Sequence, residues 1–564
     1  MDLASEQPTR LGPIVQYALL AGPLLSMLDS SIVNVAVTPI ARALHADLSV
    51  VSWTISGYLL AMGTGLSAVS YLARRFGTLP VYRTALAAFT LASLACALAP
   101  TAEVLVGARA LQGLSGAPLV PLAMSMLLGG GGGSSDAGDH SDRTRDDGSG
   151  DGDRASAGLG GGEISRDSSD LGAGSGTGGS GWGREPSSGG GIGGSGGDRA
   201  SAGGDSRIGE DGRGRGGVRG GGGGDGRGGV YGGGARGMSP VAGVMLFLGP
   251  ALGPSLGGAL IAGAGWRGIF LINVPVGVLA VLAARWIPER LAPGGTVGVR
   301  FDPVGMVLLA GGLTLSLFGI GRAGAAGWAG TATWVPLVCG LALLAAYAGW
   351  AARQEHPALD LGLARQQTSR LALLLCASAS VITFAAVFLL PVFLQTAQGH
   401  SAFAAGVALL PQGIVTGLAT ALGPRVLTRI SVRTTVIGGF AVLAAASVAL
   451  LAIDAGTPIA VTAGLLALRA AAIGLVITPL LGVMLESVRP DRLADANTLF
   501  SIVQRVAASF GVGALASWYA TVAVHHGSVE ALHRAALVLV GLAAAAAVAA
   551  LALPAARNSA LVDR

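Results

Sequence analysis

The stretch 247-FLGPALGPSLGGALIAG-263 sets five glycines and two prolines among residues that are otherwise apolar, apart from one serine. Glycine and proline are the residues that most weaken a helix in water. In lipid the balance changes. Apolar side chains gain little there by meeting one another, so close backbone approach carries more of the packing, and small residues permit it. At 3.6 residues per turn, Gly249, Gly253 and Gly257 lie four positions apart on one face. Pro250 and Pro254 add local bends that neighbouring helices tolerate. The stretch reads as part of a membrane span with a glycine face for a neighbouring helix, expected from the second half of the chain. A generic seam of small residues accounts for the glycines, but less well for the full Gly-Pro spacing.

The whole chain supports a membrane reading. Its 564 residues are 51% hydrophobic and 12% charged, about half the roughly 25% charge of a soluble domain. The formal net charge is +5, and every cationic side chain is arginine. Cys96, Cys339 and Cys376 lie far apart in apolar runs, which matches neither a metal spacing nor a disulfide framework. They read as small core-filling thiols. The start, MDLASEQPTRLGPIVQYALL, runs into an apolar segment longer than a signal core and is expected to open the first span rather than be cleaved.

A span needs about 20 mostly apolar residues. Fourteen stretches qualify. Four precede a break, at about 13–36, 50–70, 82–99 and 104–128. Ten follow it, at about 239–263, 268–287, 304–322, 332–351, 370–395, 403–424, 433–453, 457–485, 496–523 and 534–554. The expected organisation is spans 1–4 in 1–128, an insertion at 129–237, spans 5–6 in 238–287, spans 7–8 in 288–355, spans 9–14 in 356–556 and a tail at 557–564. Arginines collect on one set of loops: Arg74, Arg75 and Arg83; Arg285, Arg290 and Arg300; Arg353, Arg365 and Arg370; Arg425, Arg429 and Arg433; Arg489 and Arg492. The positive-inside rule makes these loops cytoplasmic, and both termini with them.

Residues 129–237 hold about half of the 93 glycines, with Asp, Ser and Arg as most of the remainder. So few large apolar residues cannot offset the entropy of ordering, and disorder is expected. The later part has RGG-like spacing, as in flexible nucleic-acid-binding segments. Acidic residues are interspersed, however, and only Trp182 and Tyr231 offer stacking faces. A passive cytoplasmic linker is therefore expected, with no nucleic-acid partner.

Charges inside spans are costly in lipid and mark function. Asp29 lies in 28-LDSSIVNVAVTPI-40, Arg109 in 107-GARALQGLSGAPLVP-121, Arg469 in LLALRAAAIGLVITP and Arg505 in FSIVQRVAASFG. For Asp29 one reading is a carboxylate whose protonation couples to a conformational change. The other is a structural group bonded to Ser30, Ser31, Asn34 or another helix. Arg109 reads as a relay or gate partner, or as an arginine snorkelling to the outer interface. Arg469 and Arg505 read as structural. No metal-ligand cluster, G-x-S-x-G or Walker glycine loop is present, so neither hydrolytic chemistry nor a cofactor is expected. Uphill transport would then draw on an ion gradient.

Several motifs resemble the major facilitator superfamily, specifically its fourteen-span drug:proton antiporter group. LDSSIVNVAVTPI resembles the first-span motif through Asp29, Asn34 and Pro39. VSWTISGYLL resembles the second span through Trp53 and Tyr58. RALQGLSGA, with Arg109, Gln112 and Gly113, resembles the span 4 motif associated with proton transfer. GPALGPSLGG matches the antiporter pattern G-x-x-x-G-P-x-x-G-G at Gly249, Gly253, Pro254, Gly257 and Gly258. WRGIFLINVPVG is similar to the signature leading into span 6, and QTAQGHSAFAAGVALLPQG to the loop into span 10. The likeness covers nearly all of the chain except 129–237.

That resemblance implies an all-α integral membrane protein of the major facilitator fold, with two pseudo-symmetric six-helix bundles and spans 7–8 as an extra helix pair. It implies alternating access about a site near the bilayer midplane. A monomer in the cytoplasmic membrane would exchange protons, coupled through Asp29 and Arg109, for an exported drug-like, lipophilic or cationic small molecule. Met27, Asn34, Trp53, Tyr58 and Gln112 are candidate cavity liners. The loop between spans 2 and 3 departs from the family pattern G-x-L-a-D-R-x-G-R-[KR]. In SYLARRFGTLPVYR, Arg75 and Gly77 remain, but Arg74 stands where the family has the acid that helps latch the cytoplasmic gate. Two alternatives stay open: a transporter of one metabolite, and a sensor that has lost transport and signals through the insertion.

Overall fold

The computed structural model describes residues 13–129, 240–291, 302–327, 330–354, 357–427, 430–489 and 492–554, and among them every regular element is helical. Apart from its first residue, the insertion expected at 129–237 lies outside the described residues, as does the tail at 557–564.

The helices follow the apolar runs. α1 (Pro13–Ile32) continues through a 3-10 turn (Val33–Val35) into α2 (Val37–Ala43) and the short α3 (Leu48–Val51). Then come α4 (Trp53–Phe76), α5 (Thr78–Ala97), α6 (Ala102–Gly116) and α7 (Leu119–Gly129). After the insertion follow α8 (Pro240–Ala264), α9 (Gly268–Leu271) and α10 (Asn273–Ala284), and next α11 (Pro303–Ala326) and α12 (Thr331–Ala351). The last six are α13 (Gln367–Thr396), α14 (Ala402–Leu427), α15 (Val432–Ala449), α16 (Ile459–Glu486), α17 (Leu493–His526) and α18 (Ser528–Ala549).

Among the described residues, twelve helices are long and apolar enough to cross a membrane. One further pair, Leu252–Ala264 with Gly268–Ala284, qualifies together across a bend of 119°. The expected fourteen counts the two arms of that pair separately. α8 alone has 25 residues, about 37 Å at 1.5 Å per residue, which exceeds the roughly 30 Å of hydrocarbon.

Helix pairings reveal an internal repeat. In the first bundle α1 packs on α8 and α10, α6 packs on α4 and α5, and α5 packs on α10. The second bundle repeats these five pairings: α13 on α17 and α18, α16 on α14 and α15, and α15 on α18. The main contacts between bundles are also exchanged. The second span of the first bundle, α4, meets the fifth of the second, α17, and the fifth of the first, α8, meets the second of the second, α14. α11 and α12 pack chiefly on each other, and α11 lies against both α4 and α17. One capping contact repeats as well. Arg83, near the start of α5, donates Nε–H to the Ala284 carbonyl at the end of α10 (3.0 Å), and Arg433 of α15 donates Nε–H to the Leu553 carbonyl after α18 (2.6 Å). Each places a cation on the free carbonyls of a helix C-terminus.

Two boundaries differ from the sequence reading. Residues 71–81, expected as a loop, are almost wholly helical: α4 and α5 are joined by Gly77 alone, at φ 87° and ψ 149°. Arg74 and Arg75 therefore sit in the last turn of α4. Gly527 joins α17 to α18 in the same way, at φ 87°. A residue with a Cβ rarely adopts this conformation.

The glycine-rich helix is corrected in its partner. A Cβ at Gly253 would collide with the Ser31 side chain, and one at Gly257 would lie 2.9 Å from the Ile32 carbonyl oxygen. Both glycines thus serve α1, in the same bundle. Gly258 faces the second bundle, where a Cβ would stand 2.6 Å from the Ala402 carbonyl oxygen and 2.7 Å from the Phe403 Cα. Pro254 approaches Gly406, and Ser255 donates its hydroxyl to the Gly406 carbonyl at 2.9 Å. α8 is clamped on two sides, and neither neighbour leaves room for a side chain. Gly249 lies in α8, but its contacts fall outside the described residues.

Candidate functional site

Asp29 is fully buried on α1 and is met by side chains from two other helices, α6 and α10. Its Oδ2 pairs with Arg109 Nη1 of α6, whose side chain is also buried. Its Oδ1 accepts from Gln112 Nε2 of α6 at 3.0 Å and from Asn273 Nδ2 of α10 at 2.9 Å. Arg109 and Gln112, three positions apart, share a helix face. Arg109 Nη1 also donates to Gln112 Oε1 at 2.7 Å, and its Nε–H to the Thr54 carbonyl of α4 at 2.9 Å. The guanidinium lies 4.0 Å from the Tyr58 ring centre and 5.7 Å from that of Phe270.

A further layer fixes these groups. Asn273 Nδ2 also donates to Ser93 Oγ of α5 at 3.1 Å, and the Ser93 hydroxyl donates to the Phe270 carbonyl at 3.0 Å. The Tyr58 hydroxyl donates to the Ser26 carbonyl of α1 at 3.3 Å. Cys96, expected only to fill space, lies with Sγ 3.5 Å from Gln112 Oε1. Five spans of the first bundle therefore converge on one carboxylate. A buried ion pair is tolerable because its remaining donors and acceptors are satisfied.

Several expectations are corrected here. The polar residues beside Asp29 in sequence are not its partners. Ser30 and Ser31 donate to the Met27 and Leu28 carbonyls, and Asn34 donates to the Ser31 carbonyl at 3.1 Å. Each helix turn satisfies its own short side chains, which leaves the carboxylate free to reach across the bundle. Arg109 does not snorkel to the interface. Tyr58 and Gln112 are packed against the ion pair rather than spread along a cavity. Trp53 stacks towards Phe318 of α11 with ring centres 6.1 Å apart, so it meets the extra helix pair. Met27 is half-buried on α1. Asn273 falls within the WRGIFLINVPVG signature but without an expected role at the site, and Ser93 and Thr54 carry no signal in the sequence. Arg469 and Arg505 stand apart from this network, in α16 and α17 of the second bundle.

The two ends of the bundle pair differ. Near Gly77 a crevice of about 420 Å³ opens between Ser67, Ser70, Tyr71 and Arg74 of α4 and Asp495 and Thr498 of α17. Asp302, Asp360 and Arg492 add charged groups to its rim. Asp302 caps α11, accepting from Gly305 N at 2.7 Å, and also accepts from Trp350 Nε1 at 2.9 Å. Asp360 pairs with Arg492, which also lies 3.6 Å from Asp495. Arg75 is not on this rim; it rests over Phe76. At the opposite end the bundles touch backbone to backbone, through Gly258 with Ala402 and Pro254 with Gly406. Nearer the middle, the Ser509 hydroxyl of α17 donates to the Ser56 carbonyl of α4 at 2.7 Å.

A family description, Major Facilitator Superfamily, matches residues 19–129 and 236–512. The chain is 27% identical over 516 residues to the multidrug resistance protein B homolog of Mycobacterium tuberculosis, covering 90% of this chain and 76% of that one. It is 24% identical over 504 residues to the methylenomycin A resistance protein of Streptomyces coelicolor (88% and 84% covered). To the multidrug export protein EmrB of Escherichia coli K12 it is 22% identical over 518 residues (91% and 81% covered). Its fold is similar to that of a crystallised POT family transporter in complex with a thioalcohol-conjugated peptide, with a TM-score of 0.55, 10% identity and 95% of each chain covered.

Proposed function

The chain belongs to the Major Facilitator Superfamily and is a multi-pass membrane transporter rather than an enzyme, and from that premise we propose that it exports small organic compounds across the cytoplasmic membrane in exchange for protons. The observation that carries this reading is the Asp29 carboxylate, buried and held by Arg109, Gln112 and Asn273. Three relatives named for multidrug or antibiotic resistance support the cargo class.

Protonation gives the coupling step. An ionised Asp29 attracts Arg109 and accepts three hydrogen bonds, one of them from that arginine. A proton on either oxygen removes the charge attraction and replaces an acceptor by a donor. α1, α6 and α10 are then held less firmly together. Proton uptake thereby favours one packing of the first bundle and proton release the other. A gradient can drive transport only through such a difference between two states.

The arginine-rich loops support a cytoplasmic Gly77 end. The crevice is then open inward, and the contact of Gly258 with Ala402 seals the outer end. Switching access requires the crevice to close, which brings Arg74 of α4 towards the acidic rim of Asp495, Asp302 and Asp360. The family pattern has an acid where Arg74 stands. Here the cation Arg74 stands on the first bundle, and the rim opposite holds three acids with Arg492 beside two of them.

The purified full-length protein in liposomes provides the test. A fluorescent dye should move against its gradient when a pH gradient is imposed, and an uncoupler should stop it. Dye movement that survives collapse of the proton gradient overturns proton coupling. No movement of any dye or antibiotic overturns the drug-export reading.

A further inference from the structure

Among the described residues, Arg109, Arg469 and Arg505 lie in span interiors, and of these only Arg109 pairs with a carboxylate. Arg109 has Asp29. Arg469 of α16, 5% exposed, donates Nη1–H to Ser447 Oγ at 2.7 Å and Nη2–H to the Ile382 carbonyl at 3.0 Å. Both acceptors are neutral, and among the described residues no acid pairs with it. Arg505 of α17, also without an acidic partner there, donates Nη1–H to Met62 Sδ of α4 at 2.9 Å, and its buried Nε has no partner. A thioether is a weak acceptor. The second bundle therefore carries two cations in its apolar interior where the first carries a neutral pair.

Arg469 has unusual company. Thr383 of α13 and Gln412 of α14 line the same small cavity, of about 10 Å³. Thr383 Oγ1 and Gln412 Oε1 are both buried and without a hydrogen-bond partner among the described residues. Buried polar atoms are paired in nearly all native structures, and an orphan calls for a physical reason. Here two orphans from two helices converge on a space that also borders an unneutralised guanidinium from a third. Apolar packing would put none of the three there.

We infer that Arg469, Thr383 and Gln412 form the subsite for an anionic group of the exported compound, so that the cargo class is organic anions, such as amphipathic carboxylates or sulfonates. A carboxylate there accepts from the guanidinium and from the Thr383 hydroxyl, and a rotation of the Gln412 amide presents its NH2. All three groups are then satisfied and the arginine's charge is neutralised. An organic cation meets the opposite situation, since Arg469 and Arg505 both repel it. The cavity has room for about one water, so seating a carboxylate there requires α13, α14 and α16 to move apart. This inference deepens the exporter reading and rests on it for the word cargo, but the subsite binds without a gradient.

Equilibrium binding to the full-length protein in nanodiscs, with no pH gradient, isolates the claim. The probes are fluorescein and salicylate as anions and ethidium as a cation. The wild type should bind both anions saturably. Arg469→Gln should weaken them at least tenfold, Arg469→Lys much less, and Thr383→Val about threefold, with ethidium unaffected throughout. If Arg469→Gln fails to fold, the near-isosteric Thr383→Val decides alone. Unchanged anion affinity in the folded variants overturns the subsite, as does absence of saturable binding by both anions or preference for ethidium. Anion binding without gradient-driven movement overturns export and leaves the subsite standing. Ethidium export combined with anion affinity that Arg469→Gln leaves unchanged leaves export standing and removes the subsite.

Discussion

Arg109 and Asp29, 80 positions apart in sequence, form an ion pair in which each side chain is 1% exposed. Gln112 bridges them, accepting from the arginine and donating to the aspartate. The pair cannot be altered on one side without leaving the other buried and uncompensated, and this makes its members separable by mutation.

Asp29→Asn keeps the shape and part of the hydrogen bonding but removes the charge. Removing one partner of a buried ion pair costs about 3–5 kcal/mol, and the retained amide should hold the loss near the low end. Gradient-driven export in liposomes should fall more than tenfold while equilibrium substrate binding persists. Unaltered export would exclude Asp29 as the coupling carboxylate.

Asn273→Leu tests the support around that carboxylate. It removes donors to Asp29 and Ser93 and leaves Oδ1 with one donor fewer. An unsatisfied buried polar group costs about 1–3 kcal/mol. The melting temperature in detergent should fall, and transport with it. Asn273→Asp, which adds a second acid beside Asp29, should be worse than Asn273→Leu for both. The reverse order would show that Asn273 acts through packing alone.

Gly258→Leu and Gly253→Leu probe the two sides of α8 separately. The first drives a side chain into the Ala402 and Phe403 backbone between bundles, the second into Ser31 beside the ion pair. Overpacking costs about 1–3 kcal/mol. Both proteins should insert normally and lose at least tenfold in transport. Gly258→Leu should also raise labelling from the outer side of single cysteines introduced at positions 259–262, because it breaks the seal; equal labelling in both variants would remove the distinction between the two faces.

Arg74→Asp reverses the charge facing a rim of Asp302, Asp360 and Asp495, of which Arg492 already pairs with Asp360. Export should fall about tenfold, and Asp495→Arg in the same chain should restore part of it, whereas Asp495→Arg alone should also impair export. Full activity of Arg74→Asp would rule out a latch through Arg74.

Apolar run lengths and arginine placement located nearly every helix, because lipid forces backbone groups to pair within their own segment. The ends were less legible. One glycine at φ 87° lets α4 and α5 run on to Phe76 and from Thr78, and nothing in YLARRFGTLPVYR separates a one-residue junction from a loop. At the site, Asp29, Arg109 and Gln112 stand out as polar groups in apolar runs. Asn273 is visible only as part of the WRGIFLINVPVG signature, and Ser93 not at all, since their roles arise only when α10 and α5 close on α1. The glycine face of α8 was visible as a pattern, but its partner was not. Periodicity says that backbone will be approached closely; it does not say by which helix.

The placement of α11 bears on how a lipid-dissolved compound reaches the crevice. Phe318 of this helix packs towards Trp53 of α4, and the Gly321 carbonyl accepts from Ser517 of α17 at 2.8 Å. The helix therefore straddles the lateral seam between the bundles, and α12 lies behind it. A molecule diffusing in the bilayer on that side meets a doorpost made of the added pair before it meets either bundle. That side of the seam is therefore covered by residues outside the two repeats, which can vary without altering the helix pairings the repeats share.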